Sequence, residues 1–180
     1  MTRLPWLDRA ELDPKAQAIW DGIAAVRSPT MRGPFGILMH IPELADRVAH
    51  LEDYFRFDAE LPADDRELVT LATTREVGAR YPWARHEIRA REVGVRPEAI
   101  DVLRANGDLD GLTPHEQILA EVVRALLRTH AIPADLYARA EAELGRRKLI
   151  EVVTLTGHYG TVGLLVGAFE IPAPEEGPHF

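Results

Sequence analysis

Apolar residues recur every three to four positions along almost the whole chain, and proline or glycine interrupts them at intervals. This pattern leaves little room for anything but helices. Pro14 can open a first turn, followed by Ala16, Ile19, Ile23 and Val26 at helical spacing. A Pro/Gly-rich loop is expected from Ser28 to Gly36. Pro42 then opens a helix with Leu44, Val48, Leu51 and Phe55 on one stripe. Pro62 starts another, with Asp64, Asp65 and Glu67 in its first turns and Leu68, Leu71 and Ala72 on its buried face. A break falls across Gly78 to Pro82, because proline removes a hydrogen bond from a helix interior and clashes there. Trp83 to Val93 resumes the pattern, Gly94 suits a C′ position, and Pro97 to Leu103 is a short helix.

Further on, Thr113-Pro114-His115-Glu116 reads as a capping box with proline in the first helical position. It launches Ile118 to Leu127, and Pro133 to Leu144 follows, ended by Gly145. A last helix is expected from about Lys148 to Phe169, apolar on most sides and carrying Gly157, Gly160, Gly163 and Gly167. Such a helix must be buried, either centrally or in a subunit interface. No segment sustains the period-2 alternation of a strand. The reading is an all-α fold, a compact multi-helix bundle of one domain over residues 1–180, with about 1–13 and 173–180 as loose termini.

The formal net charge of −8 and the scatter of the 21 Lys and Arg residues argue against nucleic-acid binding. No window holds the roughly 18 unbroken apolar residues of a membrane span. The first thirteen residues lack a secretory core, so a cytoplasmic location is expected. There is no cysteine, which excludes disulfides, thiolate metal sites and thiol redox chemistry. No metal-binding or nucleotide-binding motif is present, and neither metal nor cofactor is expected. No GxSxG elbow marks a serine hydrolase.

Residues 66–86, RELVTLATTREVGARYPWARH, resemble the signature region of the carboxymuconolactone decarboxylase and alkylhydroperoxidase-D-like family. In the peroxidase branch a glutamate is followed by Cys-x-His-Cys and a closing histidine. Here the glutamate is Glu67 and the final histidine His86, whereas the cysteine positions fall on Ala79 and Pro82 and the intervening histidine on Tyr81. The segments GPFGILMHIPELADR (33–47) and LTGHYGTVGLLVGAFEIP (155–172) also resemble cysteine-free members. The resemblance implies an alkylhydroperoxidase-D-like bundle and a homo-oligomer, dimer to hexamer. It also implies decarboxylase-type chemistry, since a peroxidase would need a peroxidatic and a resolving thiol.

Decarboxylation or proton transfer beside a carbonyl needs a proton donor or acceptor and a stabiliser of the developing oxyanion. Glu67 and His86 can form the relay, with Tyr81 as hydrogen-bond donor. Arg80 or Arg85 can hold a substrate carboxylate, and Trp83, His40 and His158 are further candidates for contact with substrate. Each has a plainer role: Glu67 as a helix-dipole residue, His86 as a satisfied histidine, Tyr81 and Trp83 as packing aromatics. His158, on an apolar helix, is either a satisfied core histidine or a pocket residue. His50, His115 and His130 read as surface or capping positions. In a hairpin broken at Pro82, Glu67 lies roughly 16 Å before the break and His86 about 6 Å beyond it. The two meet only if the break comes earlier, if the helices cross, or if the pair forms across subunits. The expected function is a lyase or isomerase acting on a small carboxylated lactone or carbonyl compound. The alternative is a non-catalytic ligand-binding or scaffold protein.

Overall fold

The computed structural model describes residues 2–27 and 30–180, and among them every regular element is helical. The main helices are α1 (Pro14–Val26), α2 (Pro34–Leu38), α3 (Pro42–Asp53), α4 (Ala63–Glu76), α5 (Arg80–Glu92), α6 (Pro97–Ala105), α7 (Pro114–Thr129) and α8 (Ala134–Ala168). Of the loop expected from Ser28 to Gly36, the first two residues lie outside the described residues, and its far end already turns helical at Pro34. The all-α expectation holds. The sequence shows no internal boundary, yet contacts sort into two compact units. One comprises Met1–Asp58 with Leu165–Pro172, the other Ala59–Leu164 with Ala173–Phe180.

In the first unit, Asp13 caps α1 by accepting from the Ala16 amide, and Pro14 takes the first helical position. The core gathers Trp20, Ile23, Met31, Leu38, Met39, Ala45 and Ala49. The face of α3 differs in part from the expected stripe: Val48 packs against the core and Phe55 is buried, but Leu44 and Leu51 are 42% and 38% exposed while Ala45 and Ala49 are buried. The small alanine side chains, not the larger leucines, face the α1 residues Trp20 and Ile23 in this core.

The second unit is built around α4, against which α5, α6 and α7 pack. Leu68, Leu71 and Ala72 are buried as expected, but so are Val69, Thr70, Thr73 and Thr74. A helix enclosed on nearly every side must satisfy its polar atoms internally. Thr73 and Thr74 do so by donating to the carbonyls of Val69 and Leu71 at 2.8 and 3.1 Å.

The break after α4 comes earlier than the proline suggests. Gly78 takes φ +70°, the Ala79 amide donates to Thr74 O at 2.8 Å, and the Gly78 amide to Arg75 O at 3.2 Å. This is a Schellman closure, which needs a left-handed residue at C′. Pro82 therefore lies inside the first turn of α5, where its missing N–H costs nothing. Gly94 closes α5 in the same way.

The capping box at Thr113 and Glu116 is present in full. Gly145 is non-helical (φ 73°, ψ 163°) and divides α8 where the sequence placed a helix end. By length and composition α8 is apolar enough to cross a membrane, but half of its most apolar window is buried within the protein. Of its glycines, Gly163 makes a close approach: a Cβ there would stand 2.6 Å from Val77 Cγ2. Nothing lies within 4 Å of the corresponding position at Gly157. The tail, expected to be loose, places the Phe180 ring edge-on to Trp83 at 5.2 Å, with the Arg75 guanidinium 4.5 Å from its centre.

Candidate functional site: a buried Glu–His–Tyr chain

Glu67 and His86 meet within one chain. Glu67 Oε2 accepts from His86 Nδ1 at 2.6 Å, and the two residues are only 4% and 7% exposed. The early break explains the meeting. From Glu67 to the end of α4, and from the start of α5 to His86, the two arms rise about 14 and 9 Å. They are thus much closer in length than a break at Pro82 would make them.

On the other side of the imidazole, His86 Nε2 lies 2.9 Å from the Tyr159 hydroxyl, and the two rings are edge to face with centroids 4.8 Å apart. Tyr159 comes from α8 and is 6% exposed. The three side chains form one hydrogen-bonded chain running from α4 through α5 to α8.

Burial pushes the Glu67 carboxyl up. The charge and hydrogen bond of His86, with Arg66 and Arg89 nearby, outweigh it and leave the group below the ordinary carboxylate value. An ionised Glu67 accepts only, so it fixes the proton on Nδ1 of His86. In the neutral ring Nε2 is then an acceptor, and the Tyr159 O–H donates to it. In the charged ring Nε2–H donates to the Tyr159 oxygen. A proton can thus be held or released at Nε2 while the rest of the chain stays in place.

The remaining expected residues fall around this chain unevenly. Tyr81 is half-buried; burial pushes its phenol up against the opposing influence of Arg85 and Arg89. Tyr81, Arg85 and Arg89 follow one another at four-residue spacing along α5 and form a partly exposed row. Arg80 is exposed, 6.0 Å from the Phe180 ring. Trp83 is fully buried and its indole N–H donates to Glu87 at 2.9 Å, so it packs inside the unit. His158 is 7% exposed and its ring stands edge to face with Tyr159 at 5.0 Å. His40 belongs to the first unit, where its Nε2 donates to the Pro5 carbonyl at 3.0 Å. Among the described residues no group of three His, Asp or Glu side chains has the arrangement of a metal site.

Two residues escaped the sequence reading. Arg89 continues the helical row from Tyr81 and Arg85, a spacing that was there to be read. Tyr159 was visible only as the neighbour of His158. The signal available was the one applied to that histidine: a polar atom on a buried helix needs a partner.

Of the three ways of meeting that the sequence left open, the structure shows the pair within one chain, between two consecutive helices. Residues 42–125 match the carboxymuconolactone decarboxylase family, and the sequence contains no cysteine. No curated protein matches the sequence. Two crystal structures share the fold. One is an alkylhydroperoxidase AhpD core, an uncharacterized peroxidase-related protein from Ralstonia eutropha (TM-score 0.80, 14% identity, covering 97% of this chain and 93% of that one). The other is a protein of unknown function from Agrobacterium tumefaciens, offered as a candidate antioxidant defence protein of the AhpD type (TM-score 0.71, 19% identity, 78% and 97% coverage).

Proposed function

We propose that this chain is an enzyme that moves protons on a small carboxylated lactone or carbonyl compound, as a lyase or isomerase. The observation that carries the reading is the buried hydrogen bond of 2.6 Å between Glu67 and His86, continued to Tyr159. His86 Nε2 takes or gives the proton, Glu67 fixes the ring tautomer, and Tyr159 passes the proton on or donates to the developing oxyanion. Tyr81 is a second hydroxyl for that oxyanion. The row of Arg85 and Arg89, with Arg80 at the start of the same helix, supplies the positive charge that holds a substrate carboxylate. The absence of cysteine removes the thiol steps that a peroxidase of this fold requires.

The test is a screen of carboxylated lactones and β-keto acids, followed by His86→Gln and Glu67→Gln on any substrate found. Loss of a general acid–base group lowers turnover by about 10²–10⁴-fold. Unchanged turnover in a folded His86→Gln protein would sink the role.

A second reading rests on one observation: the three groups are nearly sealed from solvent and satisfy one another, as in a structural polar network. On that reading the protein binds a ligand or a partner without chemistry. His86→Gln then lowers stability and leaves ligand affinity unaltered.

A further inference from the structure

His115 was expected at a surface or capping position, and it does occupy the second residue of α7. Its ring, however, is engaged on both sides. Nε2 lies 2.9 and 3.0 Å from the two carboxylate oxygens of Asp65, in the first turn of α4. Nδ1 lies 2.7 Å from Glu143 Oε1, in the first half of α8. Carboxylates only accept, so both contacts are hydrogen bonds only if both ring nitrogens carry hydrogen. A neutral imidazole has one N–H, and its other nitrogen would turn a lone pair on a carboxylate.

We infer that Asp65, His115 and Glu143 form a proton-operated clamp, an imidazolium bridging two carboxylates, which ties the first turn of α4 to α7 and α8 and opens when His115 loses its proton. The chain outside the clamp is consistent with a charged ring. On α4, Asp64 adds negative charge beside Asp65; on α8, Lys148 offsets part of it. On α7, Glu116 is held by Arg96 and so adds no free negative charge. Asp65 and His115 border a cleft of about 270 Å³ that Leu68, Gly94, Arg96 and Glu116 also line, so the ring can exchange protons with solvent. With both nitrogens occupied, His115 has none left for a ligand in that cleft. This makes it a fastening and not a second catalytic histidine.

Burial pulls the His115 ring towards neutrality, but the hydrogen bonds and charges of Glu143 and Asp65 outweigh this and hold it above the ordinary histidine value. Burial raises the Asp65 carboxyl above its ordinary value, and His115 draws it down without cancelling the rise. The sign follows. A raised histidine contributes stability in full below its unfolded value near 6.5 and loses it as pH climbs through the folded value. The clamp is therefore closed in mildly acidic solution and released on the alkaline side. Asp65 stands two residues before Glu67, so the released turn is the one that leads into the buried chain.

The test is long-range ¹H–¹⁵N NMR of the histidine rings in the full chain, with His115 assigned by its absence in His115→Gln. Both His115 nitrogens should be protonated at pH 7, with a midpoint above the ordinary histidine value. Asp65→Asn and Glu143→Gln should each move that midpoint down. In a parallel melt series, the Tm difference between wild type and His115→Gln should shrink as pH rises from 6 to 9. A neutral ring at pH 7 with its midpoint at or below the ordinary value overturns the clamp. So does a midpoint that neither carboxamide variant moves.

Discussion

His86 is held from both sides by groups of different character, and the two are expected to fail differently when removed. Tyr159→Phe deletes one hydroxyl from a neutral contact and should cost about 0.5–1.5 kcal/mol in urea unfolding. If the proposed relay operates, the same change shifts the pH profile of turnover, which a purely structural hydroxyl would not do. His86→Ala leaves a buried carboxylate without its hydrogen-bond partner, a loss on the order of 3–5 kcal/mol. The lowered Glu67 carboxyl has a sign of its own. A depressed carboxylate contributes stability in full above its ordinary value near 4.5 and loses it as pH falls through the folded value. Acid unfolding of Glu67→Gln should therefore be less steep below that pH than wild type, measured by circular dichroism. At this scale the sequence was half legible. Glu67 and His86 were readable because their spacing resembles a family signature. Tyr159 was not, because its partner lies 73 residues away and nothing local distinguishes its hydroxyl from any other on an apolar helix.

Helix ends were the most readable elements, since each is decided by a few adjacent residues. Thr113 caps α7 through its own side chain and receives Glu116 in return. Thr113→Ala should cost about 1 kcal/mol, read from the denaturant midpoint. The proline rule misplaced the break before α5 because it treats proline as a terminator, whereas a first turn accepts it. The residue that ends α4 is Gly78. With nothing within 4 Å of its missing Cβ, Gly78→Ala should suffer only the left-handed backbone penalty, about 1–2 kcal/mol. Half of the α3 stripe, Leu44 and Leu51, was misread for a different reason. Periodicity reports which residues share a stripe, but Ala45 and Ala49 form a stripe as regular as Leu44 and Leu51. Which of them turns inward depends on the helix packed against them.

For the whole molecule, the sequence set the fold class and the closing helix but not the division into two compact units, which depends on contacts far apart in the chain. The surface left on α8 bears on assembly. Ile150 and Leu164 lie four helical turns apart on one face and are 59% and 76% exposed, with Val153 and Gly157 between them. A second copy is proposed to cover this stripe. Light scattering behind size exclusion should show at least a dimer at micromolar concentration, and Leu164→Glu should reduce it to monomer; a monomeric wild type would remove the proposal. Gly163 lies on the same helix, one turn beyond Tyr159, with Val77 of the α4–α5 connector where its side chain would be. That absent carbon works as a spacer. How far α8 stands off the connector is also how far Tyr159 stands off His86, so the length of a hydrogen bond in the buried chain is set by the volume of a residue that touches none of its members. Gly163→Ala should lengthen that bond, and Val77→Ala added to it should bring the bond back.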